Sequence, residues 1–168
     1  MQDYKPIVCI LTFTDDRDVG VSSPEVENYL RKKQDEIKNY LEDKNINVIN
    51  PLDELRKDTD GWYGIRNLQD VKGVTAILSR YLYDGILIGA WTWSPPMLIM
   101  EFVRKLNKPF MYYTENDPLS GNLSQLSAAC SSLMEWGVNR YALIHERNFG
   151  DRKEILRWIK AVSAVSKL

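Results

Sequence analysis

The stretch PIVCILTF, residues 6–13, carries Ile7, Val8, Ile10, Leu11 and Phe13, so both faces of an extended segment are apolar. Such a strand can border water on neither side. It belongs in the interior of a sheet covered twice, the situation of parallel α/β sheets. GILIG (85–89) repeats the pattern, and PFMYYT (109–114) and YALIHE (141–146) supply two more strands. INVIN (46–50) is a shorter strand that Pro51 stops.

Between these runs the apolar period changes from two to three and four. Residues 24–43 read as a helix, with Val26, Tyr29, Leu30, Ile37, Tyr40 and Leu41 on its stripe. Ser23 can cap it, and Pro24 suits its first turn. The stretch 51–64 reads as irregular and exposed, with at most one helical turn, and 65–82 as a helix weakened by Gly73. Ser94 and Pro95 open a helix through Leu98, Phe102 and Leu106. Leu123, Leu126, Cys130, Leu133 and Met134 form a stripe ended by Gly137, and Asp151 caps a last helix carrying Ile155, Trp158, Ile159, Val162 and Val165. Five strands, each followed by a helix, predict one α/β domain over residues 1–168. The expected fold is a doubly wound, mainly parallel five-stranded sheet, flavodoxin-like or Rossmann-like, in three α/β/α layers.

The totals narrow the function classes. The 168 residues are 44% apolar and 27% charged, with net charge −1, which argues against bulk binding to nucleic acid or to a membrane. No apolar run reaches the roughly 18 residues of a membrane span, and MQDYKPIVCILTF lacks the pattern of a secretory signal. A cytoplasmic protein is expected, with Cys9 and Cys130 as reduced, core-type cysteines. One histidine, His145, leaves a zinc site or a Ser/His/Asp triad little to work with, and its default place is the core or edge of the fifth strand.

In open α/β sheets, ligands gather beyond the carboxyl ends of the strands. There the chain places TDDRDVG after strand one, AWTWS after strand three, TENDPLSGN after strand four and ERNFGD after strand five. Trp91 and Trp93 thus stand at a strand end, where an indole face suits the C–H face of a sugar or another ring, or else covers the sheet edge. Asp15 and Asp16 invite a magnesium reading of the receiver-domain kind. That domain also needs an aspartate ending strand three, where GAWTW stands, and a lysine after strand five, where Glu146 and Arg147 stand. PLSGN (118–122) is an ordinary turn or an anion nest, and neither GxGxxG after strand one nor a Walker A motif is present.

The rim loops also carry a family resemblance. ILTFTDDRDVGV (10–21) resembles the first strand and loop of the L-fucose isomerase family: an apolar strand, an acid, Arg17, then a GV opening into a long helix. GAWTWSPPMLIMEFVRKLNKPFMYYTEND (89–117) is similar to the matching stretch of L-arabinose and L-fucose isomerases. The resemblance runs over nearly all of the chain. It implies the N-terminal domain, or a split subunit, of an aldose–ketose isomerase, catalytically silent alone and helping to cover a monosaccharide at a neighbouring active site. The family's manganese ligands and enediol-forming carboxylates lie in later domains. The resemblance therefore implies no cofactor in this chain, Mn²⁺ in the complete enzyme, and a companion catalytic domain or subunit in a homo- or hetero-oligomer. It implies substrate-covering roles for Arg17 and Trp91, a weaker one for Glu115 and Asn116, and a match without a definite role for Asp15. Trp93 has no counterpart. The alternative reading is a stand-alone sugar- or protein-binding module without catalysis.

Overall fold

The computed structural model describes residues 4–16, 23–57, 61–116, 123–147 and 150–167. Arg17, the PLSGN turn and Asn148 lie outside them. Five strands, β1 (Ile7–Thr12), β2 (Asn47–Ile49), β3 (Gly85–Gly89), β4 (Phe110–Glu115) and β5 (Tyr141–Glu146), form one sheet in the order β2-β1-β3-β4-β5, parallel throughout. This is the flavodoxin-like order, and it reverses direction between β1 and β3.

Among the described residues six helices accompany the strands: α1 (Pro24–Glu42), α2 (Pro51–Leu55), α3 (Leu68–Leu78), α4 (Pro96–Lys105), α5 (Leu123–Glu135) and α6 (Lys153–Val165). Helices α1 and α6 cover one face. There Lys33 of α1 reaches Glu115 of β4, and Trp158 of α6 lies over Gly85. Helices α2 to α5 cover the other, where Phe13 meets Phe102 of α4 and Tyr112 meets Gln125 of α5. Val8, Cys9, Ile10 and Leu11 are all buried, as a strand apolar on both faces requires. Edge strand β5 is only half-buried, and its His145 is exposed.

Several element ends differ from expectation. Ser23 caps α1 by accepting from the Val26 N–H at 3.3 Å, and Gly137 after α5 takes φ +66°, both as expected. Asn67, accepting from the Asp70 N–H, starts α3 three residues later than the apolar period suggests. Gly73 is a packing residue, since a Cβ there would lie 2.7 Å from Leu55 Cδ1. Neither Ser94 nor Asp151 caps its helix: α4 follows Pro95 and α6 follows Arg152, both without a side-chain cap.

The stretch 51–64, expected to be exposed, departs furthest. Arg56 makes a buried bidentate pair with Asp70 and donates to the Tyr63 and Gly64 carbonyls. Glu27 accepts from the Tyr63 and Gly64 N–H groups, both at 2.8 Å. Ile65 then bridges to Phe13, so this segment is built onto the carboxyl end of β1. Charges distant in sequence fasten it, and local polarity gives no sign of that.

Candidate functional site

The crevice at the β1/β3 reversal is where a doubly wound sheet receives a ligand. The loop from Ala90 to Pro95 leaves β3 there. Strand alternation directs Trp91 to the same face as Gly89. A Cβ at Gly89 would lie 2.1 Å from the Trp91 Nε1, so only glycine lets the indole fold back along the strand. The indole N–H donates to Gln34 Oε1 at 3.3 Å, Tyr113 meets the ring edge-on at 5.7 Å, and the Lys33 ammonium sits 5.1 Å from its centroid.

Trp91 is therefore 1% exposed. The expectation that it stands on the ligand rim is corrected: the missing side chain at Gly89 opens a slot under α1, and burying the indole there is worth more than leaving it in water. Tyr63 is buried and receives a hydrogen bond from Asn50, while Trp62 is half-buried beneath the Arg66 guanidinium. The exposed large apolar side chains include Leu82, Met97, Met134, Trp136 and Val165.

Three residues beyond Trp91, the loop is anchored to the opposite layer. The Ser94 N–H donates to Gln125 Oε1 at 3.3 Å. The Gln125 amide nitrogen donates to Ser94 Oγ at 2.9 Å and to the Tyr112 hydroxyl at 3.0 Å. Ser94 and Gln125 are both buried. Thr92 and Trp93, between the anchors, are half-buried.

At the ends of β4 and β5, Glu115 and Glu146 are register partners, so their side chains leave the same face on adjacent strands. Glu115 is buried and takes Lys33 Nζ at 2.5 Å, Arg152 at 3.3 Å and the Gly150 N–H at 2.9 Å. Burial pushes its carboxyl up, but these partners outweigh burial and hold it below the usual value. Among the described residues, Glu146 Oε2 has no hydrogen-bond partner. Burial first, then the charges of Asp151 and Glu154, push its carboxyl up. Asn116 is exposed, and its N–H donates to the Glu146 carbonyl at 2.8 Å.

Among the described residues, six buried side-chain atoms without a hydrogen-bond partner lie on this edge or the α1 face beneath it: Thr14 Oγ1, Glu27 Oε1, Gln34 Nε2, the Tyr113 hydroxyl, Glu146 Oε2 and Arg152 Nε. Folded proteins rarely leave such atoms unpaired, so their concentration at one edge marks it as the polar end of the molecule. A groove of about 420 Å³ at the amino end of the sheet contrasts with it. Its lining combines Pro109, Ala161, Val162 and Val165 with Asn107 and Lys108, and Asp84 in the same wall is already occupied by Tyr4, Ser166 and the Ile7 N–H.

Of the five residues singled out as substrate-binding, Arg17 lies outside the described residues. Asp15, Trp91 and Glu115 are brought to the carboxyl edge and buried beneath it. Asn116 alone of the described four is exposed. Sequence reasoning missed Lys33, Gln34, Gln125 and Arg152. The first two carried a signal, being polar positions beside Leu30, Ile37 and Leu41 on the inward stripe of α1. Gln125 likewise stands one turn before Ala129 on the inner face of α5.

Among the described residues no group of three His, Cys, Asp or Glu side chains comes together to hold a metal ion. Among the described edge residues, Glu115 is already paired with Lys33 and Arg152 and is not free to take Mn²⁺. Compared with protein-family models and with curated proteins, the chain matches none.

Proposed function

We propose that this chain is the N-terminal domain, or a split subunit, of an L-fucose/L-arabinose isomerase-like aldose–ketose isomerase. It covers a monosaccharide at a neighbouring active site and is catalytically silent alone. The observation that carries the reading is the loop from Ala90 to Pro95. It leaves β3 at the reversal of strand order, where the resemblance puts the sugar-covering aromatic segment, and it is anchored in both helical layers.

In this reading the chain supplies binding and exclusion of water. Proton transfer between C1 and C2, and the Mn²⁺ that would hold the enediol, belong to a companion catalytic domain or subunit. Trp91 supports the loop from beneath and has no direct contact with the sugar. Purification from the native source is the test. A companion polypeptide carrying Glu, Asp and His ligands, with isomerisation of L-fucose, D-arabinose or L-arabinose by the pair, is the expected result. Recovery of the chain alone, with no such activity in any associated fraction, overturns the reading.

A stand-alone binding module is the second reading. The exposed Met97, Met134 and Trp136 favour it, as side chains a partner protein would cover. The same purification separates the two, since a non-catalytic partner would be recovered without isomerase activity.

A further inference from the structure

We propose that Trp93, with Thr92 beside it, is the contact surface of this edge for an uncharged polyhydroxylated ligand, and that Trp91 serves to position it. The inference deepens the isomerase reading and rests on it for the class of ligand. Its structural basis is the difference between the two indoles. Trp91 is 1% exposed and held by Gln34, Tyr113 and Lys33. Trp93 is half-buried, and among the described residues it takes part in no hydrogen bond, ring contact or cation–π contact. An aromatic side chain that makes none of these contacts among the described residues, on a segment fixed at both ends, leaves its exposed part available for a ligand.

The two anchors make that availability specific. Trp91 fastens the loop into the α1 layer, and Ser94 fastens it into the α5 layer through Gln125 and Tyr112. Only Thr92 and Trp93 lie between. A ligand meeting them would not have to order the backbone first, which lowers the entropic cost of binding.

Register places the partners. Thr12 pairs with Gly89, so Asp16 and Trp93 each lie four residues beyond that pair, on either side of the strand-order reversal. Gly89 pairs with Tyr113, so exposed Asn116 lies three residues beyond on the next strand. An indole face for C–H groups, with a threonine hydroxyl, an amide and a carboxylate at the same edge, matches a polyol. The exposed carboxylate of Asp16 disfavours an anion such as phosphate.

The five tryptophans give five indole N–H resonances in the nitrogen-15-labelled chain, and Trp93→Phe assigns the one at issue. L-Fucose, D-arabinose, L-arabinose and inorganic phosphate are titrated separately. The expected result is a saturable shift of the Trp93 resonance with at least one sugar, a stationary Trp91 resonance, and no response to phosphate. Trp93→Ala should weaken that sugar about tenfold, a loss of about 1.4 kcal/mol, read from the peripheral amides with circular dichroism confirming the fold. A shift at Trp91 or another indole with Trp93 unmoved overturns the assignment and leaves the isomerase reading standing. An equal response to phosphate overturns the ligand class. No shift at any indole overturns the proposal outright, because both anchors are internal to this chain; the companion experiment then decides the isomerase reading by itself.

Discussion

At the scale of single residues, Gly89 and Trp91 act as a pair. Gly89→Ala forces a methyl group into the indole and should destabilise the domain by at least about 2 kcal/mol, measured by urea denaturation, with loss of near-ultraviolet tryptophan dichroism. Trp91→Ala should lower stability by about 3–5 kcal/mol, so any loss of sugar handling in that variant would follow loss of structure. A variant that keeps wild-type stability would return Trp91 to the rim. The acidic pair gives opposite signs. The Glu115 carboxyl lies below its ordinary 4.5, so its contribution is present above that pH and lost as the pH falls through the lower folded value. Glu146 lies above its ordinary value, so its charged form opposes folding at neutral pH and the opposition fades on acidification. Glu146→Gln should therefore raise Tm at pH 7 and leave it unchanged near pH 4. Glu115→Gln should lower Tm at pH 7, because Lys33 stays buried beside a weaker partner. Thermal melts across pH check both.

At the scale of elements, the helices are held to the carboxyl edge by polar groups as well as by apolar stripes. Gln125 of α5 joins Ser94 and Tyr112 in one buried network, and removing it strands two hydroxyl groups and an N–H. Gln125→Ala should cost about 1–3 kcal/mol and speed hydrogen exchange at the Ser94 amide far more than at amides of β1. Uniform acceleration would mean that Gln125 merely contributes to global stability. The element sequence itself was legible because strands buried on both faces and amphipathic helices obey different periods. Helix starts at 68, 96 and 153 were less so. Asn67 captured α3, whereas Ser94 and Asp151 were left outside the first turn, Ser94 because Gln125 bonds it instead.

At the scale of the whole molecule, polar chemistry is concentrated at one end of the sheet. Among the described residues no helix is long and apolar enough to cross a membrane. Met97, Met134 and Trp136, on and beside α4 and α5, are exposed. A chain that normally meets a companion should self-associate when isolated, and Met134→Ser with Trp136→Ser should reduce that association without changing Tm appreciably. Sedimentation velocity over a concentration series checks it; a strictly monomeric wild-type profile at high concentration would count against a covered face.

The sequence by itself determined the layered α/β architecture, since hydrophobic period and strand count are local properties and parallel crossovers admit few topologies. It also determined that acids, amides and tryptophans would share the carboxyl edge. Only the tertiary structure decided which of them lie beneath the surface and which stand on it. Burial of Trp91 depends on the slot at Gly89 and on Gln34 from α1, and burial of Glu115 on Lys33 and Arg152, which stand 82 and 37 residues away along the chain. Electrostatic and packing partners that distant leave no periodic trace, so the burial of Trp91 and Glu115 had to come from the folded chain.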